Sequence, residues 1–189
     1  METLGKILGN TARVKIMRLF LLNKTLVLST KEIASRSRVN LALSRKELKL
    51  LYNVNFLKKK GLDWTFDPNF KYIREFEGLL LGTDILDKEY VWELFKKVGK
   101  VKLLIVAGIF IKDKNSRLDL FIVGDNLNNS KIKDCVKKIE AEIGQEIRYT
   151  PLESKDFAYR INMYDKLVRD ILDYPHEVIY QAKDLKLST

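Results

Sequence analysis

The chain has 189 residues, 46% of them apolar, and 35 Lys and Arg against 25 Asp and Glu give it a net charge of +10. That length suffices for one generous core or two small ones, since domains commonly run to about 100 residues. With Cys135 the only cysteine and His176 the only histidine, a disulfide framework, a zinc finger and a Cys-His catalytic dyad are excluded. The longest apolar stretch, Leu103 to Ile111, falls short of the roughly 20 residues that cross a bilayer. The opening Met1-Glu2-Thr3 also lacks a charged region followed by an apolar run. The expectation is a cytoplasmic protein with no signal peptide, no membrane partner, no metal and no cofactor.

The charge is unevenly placed. Residues 1–61 hold 14 Lys and Arg against three acids (Glu2, Glu32 and Glu47), a net +11, whereas residues 62–189 hold 21 against 22, a net −1. A basic segment joined to a neutral remainder is the footprint of polyanion binding, because each phosphate met by Lys or Arg releases condensed counterions. The alternative is an ordinary solvated basic surface.

From Ala12 to Leu22 the apolar positions Val14, Ile16, Met17, Leu19, Phe20 and Leu21 make a helical stripe. Thr11 is placed to cap it, with Arg13, Lys15 and Arg18 expected on the outer face. Ser29 and Glu32 fit a capping box that opens a short helix through Ile33, Ala34 and Ser35. After a turn at Arg38-Val39, Asn40 caps a third helix to about Tyr52, with Leu48 and Leu51 inward and Arg45, Lys46 and Lys49 outward. Phe56-Leu57, then Lys58-Lys59-Lys60-Gly61-Leu62, then Asp63 to Phe66 reads as a hairpin with a basic tip, the glycine permitting the turn. Two short helices joined by a tight turn and followed by a hairpin make a winged helix-turn-helix, whose last helix enters the major groove.

Beyond Pro68 the spacing predicts helices over Phe70 to Leu81, ended by Gly82, and over Lys88 to Val98. Strands are expected at Val101 to Val106 and Leu118 to Val123, nearly continuous apolar runs that suit burial on both faces. A helix at Ile132 to Ile143, a strand at Glu146 to Tyr149 and one or two helices between Asp156 and Asp173 complete the pattern. Cys135 lies on the apolar side of its helix and reads as core, and Trp64 and Trp92 read as packing anchors. The division expected is 1–66 for DNA binding, 67–99 as a helical connector and 100–189 as a small α/β domain, an α+β chain as a whole.

The first 66 residues resemble the ArsR-like winged-helix family, through Glu32-Ile33-Ala34 and the run Ser44-Arg45-Lys46-Glu47-Leu48-Lys49-Leu50-Leu51. The departures are Arg38 at a turn position usually held by glycine, and Ser37 and Ser44 where apolar residues are common. The resemblance implies that Asn40, Leu41, Ala42, Arg45 and Lys46 approach base edges, with Arg45 the reader of guanine. Lys49, Lys58, Lys59 and Lys60 would then lie along phosphates. Homodimers on palindromic duplex DNA are the family's common assembly.

The segment from about Lys100 to Leu172 looks like the nucleotidyltransferase fold of the DNA polymerase beta type. Active members carry Gly-Ser after the first strand and Asp-x-Asp on the second, which together hold the triphosphate and its divalent metals. Here the positions read Gly108-Ile109 and Arg117-x-Asp119, so the glycine remains while the serine and one acid are lost. One acid beside an arginine does not build a two-metal clamp, and retained transfer is not expected. Asp119 is expected to accept a hydrogen bond or to pair with Arg117, and Asp113 and Asp125 to be solvated loop residues. The resulting expectation is a transcriptional regulator whose second domain senses a ligand, dimerises or binds a protein partner. The alternatives are a nucleotidyltransferase with a divergent site at Asp119, and an antitoxin-like subunit of a two-protein system.

Overall fold

The computed structural model describes residues 2–82, 86–113 and 115–185. Residues 83–85 of the expected connector and the last four of the expected second domain lie outside the described residues. The chain is mixed α+β with small sheets. Its contacts divide it into two compact units, Met1–Ile85 with Lys137–Glu146, and Leu86–Val136 with Ile147–Thr189. The 67–99 stretch is thereby split.

The first unit runs α1 (Glu2–Ile7), α2 (Thr11–Leu22), α3 (Thr30–Arg36), α4 (Leu41–Asn53), β1 (Leu57–Lys60), β2 (Asp63–Phe66) and α5 (Ile73–Leu81). Its core joins Val14, Ile16 and Phe20 of α2 to Ile33, Leu48, Leu51, Phe56, Phe66 and Leu80. Both short helices after α2 begin as their sequences dictate. Ser29 accepts from the Glu32 amide while the Glu32 carboxylate accepts from Ser29, and the Asn40 Oδ1 accepts from the Leu43 amide at 2.8 Å. The cap of α2 is Asn10 rather than Thr11: its Oδ1 accepts from the Ala12 amide at 2.9 Å. Helix α5 starts at Ile73 rather than Phe70, because residues 67–70 form a separate turn in which the Asp67 side chain and carbonyl accept from the Asn69 and Phe70 amides; the Phe70 ring packs edge-on against Phe56, with centroids 5.1 Å apart.

Ser37 and Ser44 are buried, and the Ser44 hydroxyl donates to the Asn40 carbonyl one turn back, which satisfies its hydrogen. Arg38, between α3 and α4, takes the left-handed φ of 50° that glycine would adopt more cheaply.

The outer face expected for α2 does not exist as such. Arg18 is only 1% exposed, because α2 is covered on nearly every side. Its Nε donates to the Leu80 carbonyl at 2.9 Å and an Nη to the Glu142 carbonyl at 3.2 Å. Both acceptors are in last turns of helices, where carbonyls lack intrahelical partners and a cation meets the negative end of the dipole. Burial pulls the guanidinium below its ordinary pKa, and the Glu142 carboxylate opposes that shift. Lys15 pairs with Glu142 at 2.8 Å, and Arg13 with the buried Glu47 at 2.7 Å.

The second unit contains α6 (Lys88–Phe95), β3 (Lys100–Val106), a 3-10 turn (Gly108–Ile111), β4 (Leu120–Asp125), the start of α7 (Asn129–Ile143), β5 (Tyr149–Glu153), α8 (Ser154–Asn162), α9 (Lys166–Asp173) and β6 (Glu177–Gln181). The residues of α7 from Lys137 onward belong to the first unit. The sheet order is β5-β4-β3-β6, with β3 antiparallel to both β4 and β6, and β4 parallel to β5. Leu103, Ile105, Phe121 and Val123 pack with Phe157, Val168 and Ile171 of α8 and α9. Cys135 is buried, its thiol donating to the Leu94 carbonyl, and Trp92 stacks on Tyr180 at 4.0 Å. The third predicted strand begins at Tyr149 instead of Glu146, because the Arg148 backbone is already engaged with the start of β4. The strand then continues through Pro151, which an edge position tolerates.

Two outcomes follow. Arg18→Met strips the donors from two buried carbonyls and should lower the unfolding free energy by about 2–4 kcal/mol, read from the urea midpoint. Separately, the bonds from Ser29 hold the Glu32 carboxyl below its usual pKa. The capping contribution is therefore complete above the ordinary glutamate value and disappears as pH falls through the lowered one. Ser29→Ala should flatten that acid limb in melting curves taken across pH.

Candidate nucleic-acid interface

Helix α4 is amphipathic about a division that its sequence dictates. Ser44, Glu47, Leu48 and Leu51 are buried, while Ala42, Arg45, Lys46, Lys49 and Tyr52 recur at spacings of three and four on the exposed side. Of the residues expected at base edges, Ala42, Arg45 and Lys46 are exposed. Leu41 is half-buried, and the Asn40 side-chain oxygen is occupied as the helix cap.

The hairpin pairs Leu57 with Phe66, Lys58 with Thr65, Lys59 with Trp64 and Lys60 with Asp63 around the two-residue turn Gly61-Leu62. Its three lysines do not stand alike. The Lys59 ammonium lies 3.6 Å from the Trp64 ring centroid and donates to the Leu62 carbonyl at 3.4 Å. Lys58 and Lys60, on the alternate face, are exposed and unpaired.

Trp64 connects the hairpin to the helices. Its indole Nε1 donates to the Thr30 hydroxyl at 2.9 Å, its backbone bridges Leu28, and its ring meets Tyr52 edge-on at 6.1 Å. Since Tyr52 continues the exposed stripe of α4, the hairpin flanks the face that carries Arg45 and Lys49. Reading by sequence treated Trp64 as packing and missed Thr30 and Tyr52, neither of which has a distinguishing pattern.

Among the described residues, seven of the 14 basic residues within positions 1–61 form no ion pair: Lys31 on α3, Arg45, Lys46 and Lys49 on α4, and Lys58, Lys59 and Lys60 on β1. Arg13, Lys15, Lys24 and Arg36 pair with Glu47, Glu142, Glu77 and Glu146. These seven fall on three consecutive elements.

In the second unit, Gly108 and Asp119 do come together, and Arg117 does not join them. Arg117 pairs with Asp170 at 3.1 Å. The partner of Asp119 is Arg148, whose Nε reaches Oδ2 and whose Nη2 reaches Oδ1, each at 3.2 Å. The Arg148 amide donates to Oδ2 at 2.8 Å and the Ile109 amide to Oδ1 at 3.1 Å. Four N–H groups therefore occupy a carboxylate that has about four lone-pair sites. Gly108 takes φ 53°, and a Cβ there would collide with the Asp119 carboxylate.

Asp125 is not a free loop carboxylate: it ends β4, where its surroundings at Ser154 and then Lys102, 3.3 Å away, hold it below its usual pKa. Asp113 accepts from the Asn115 amide. Among the described residues no three His, Cys, Asp or Glu side chains converge as a metal site requires. Arg148 was not legible as a partner because it lies 29 residues from Asp119.

No family profile, no curated protein and no solved structure matches the chain.

Gly108→Ala should destabilise the second unit by about 1–3 kcal/mol through clash and backbone strain. Asp119→Asn should cost about 1–3 kcal/mol by weakening the fork to Arg148 and disturbing its amide bonds. Both are read as lower urea midpoints of the full chain.

Proposed function

We propose that the chain is a DNA-binding transcriptional regulator. Its first unit acts as a winged helix-turn-helix on double-stranded DNA, and its second unit is a nucleotidyltransferase-like fold used for sensing, dimerisation or partner binding. The observation that carries this reading is the succession of seven cations without ion pairs on the consecutive elements α3, α4 and β1. Exposed cations left unpaired by the fold create a positive surface potential, and each that meets a duplex phosphate releases counterions condensed on the DNA. Helix α4 enters the major groove with Ala42, Arg45 and Lys46 toward the bases, Arg45 bonding guanine O6 and N7 together. Lys49, Lys58 and Lys60 lie on phosphates, and Lys59 braces the hairpin. A homodimer on a palindromic site is the corresponding assembly.

Nucleotidyl transfer finds no support at Asp119, whose oxygens are engaged by Ile109 and Arg148. A hard cation there would have to displace the guanidinium first.

The test is duplex binding as a function of salt. With three phosphate contacts per chain, affinity should drop about 40-fold between about 50 and 200 mM monovalent salt. Lys49→Gln and Lys58→Gln should each reduce the log–log slope by about one, whereas Lys59→Gln should change it less. A flat salt dependence of the wild type would overturn the reading.

A further inference from the structure

Leu62 occupies the tip of the β1–β2 hairpin and is 91% exposed. It is the second of two loop residues, after Gly61, whose φ of 65° provides the sharp reversal. Nothing in that turn requires an apolar side chain at the second position, where Asn, Asp or Ser is the common choice. Leu62 buries nothing, so the fold gives no reason for it.

The hairpin nevertheless holds this leucine firmly. The Lys59 ammonium is anchored on the Trp64 ring and donates to the Leu62 carbonyl, and Trp64 is fixed in turn by Thr30 and Leu28. Lys58 and Lys60 stand on the other face without ion partners. The result is a braced post with an apolar end and cations on its flank.

We propose that Leu62 is a wedge that enters between stacked base pairs of duplex DNA from the minor groove, with Lys58 and Lys60 on the flanking phosphates. The proposal rests on the DNA-binding reading and adds to it a deformation of the duplex. The minor groove is too narrow for a helix yet admits a single side chain. Apolar side chains placed there unstack a base step, bending and untwisting the duplex so that more protein surface reaches it. A polar tip would gain nothing from insertion, whereas a leucine removed from water at a base step does. A lysine-lined apolar tip also suits an anionic lipid surface. Duplex DNA is favoured because further cations without ion pairs, Lys31 on α3 and Arg45, Lys46 and Lys49 on the exposed stripe of α4, extend the basic surface beyond the hairpin, which flanks that stripe, whereas a point anchor in lipid would need only the tip.

The experiment relaxes a closed circular plasmid with topoisomerase in the presence of the full chain and reads the linking number. Binding to a short linear duplex is followed in parallel across salt. The wild type should shift the linking number in proportion to protein bound. Leu62→Asn should weaken binding and abolish that shift at saturation, while keeping the salt slope that reports phosphate contacts. Lys58→Gln with Lys60→Gln should flatten the slope yet retain the shift at saturation. Because Leu62 is exposed, Leu62→Asn should leave the urea midpoint unchanged.

Wild-type binding with no change in linking number, or an equal change with Leu62→Asn, overturns the wedge and leaves the DNA-binding reading standing. Absence of any duplex binding overturns both. Leu62-dependent binding to vesicles of anionic phospholipid without duplex binding assigns the tip to a lipid surface and likewise overturns the proposal.

Discussion

Trp64 is the constraint on which the geometry of the basic surface depends. Its indole N–H is held by Thr30 at the start of α3, its ring edge by Tyr52 near the end of α4, its face by Lys59, and its backbone by Leu28. A buried indole with its one donor satisfied has a single position, so three elements that are separate in sequence acquire fixed mutual placement. That matters because phosphate contacts act together only when they can be met at once by one rigid duplex. Cations on a loosely attached hairpin and on a helix would otherwise each have to be ordered on binding, at an entropic cost that offsets the counterions released.

The same residue types do two unlike jobs within the first 61 positions. Arg18 holds together the ends of two helices, Arg13 neutralises the buried Glu47, and Lys15 meets Glu142. These cations are committed because a charge taken out of water needs partners near it, and each has found them. What remains is a smaller charge than the sequence total suggests, but a better located one. The basic excess is therefore partly a feature of folding and partly a surface property, and only the second part bears on a polyanion.

Local signals in the chain were legible and long-range ones were not. The capping box at Ser29 and Glu32, the Asn40 cap and the glycine turn of the hairpin are set by residues within four positions of one another, and sequence spacing reveals them. Arg18 was expected outside because a cation on a helix ordinarily is. Its true environment depends on carbonyls 62 and 124 residues away, which no periodicity encodes. The early placement of the strand after α7 has the same origin: Ile147 and Arg148 look like strand residues, yet the Arg148 backbone is spent on Asp119 and Leu120 before pairing begins. Helix α1, the 3-10 turn and β6 were not anticipated, each being short and without a distinctive pattern of its own.

In the second unit a carboxylate, a glycine and an arginine form one structural knot. The absence of a Cβ at Gly108 lets Asp119 approach the backbone there and accept from the next amide, at Ile109. The opposite oxygen takes the Arg148 amide, and the guanidinium then closes over both. A carboxylate set to coordinate a cation must keep lone pairs directed into open space, whereas one set to tie two chain segments together directs them at N–H groups. Asp119 is 4% exposed and directs them at N–H groups. The two uses compete for the same electrons. Removing the Arg148 fork would leave a nearly buried carboxylate without its cation.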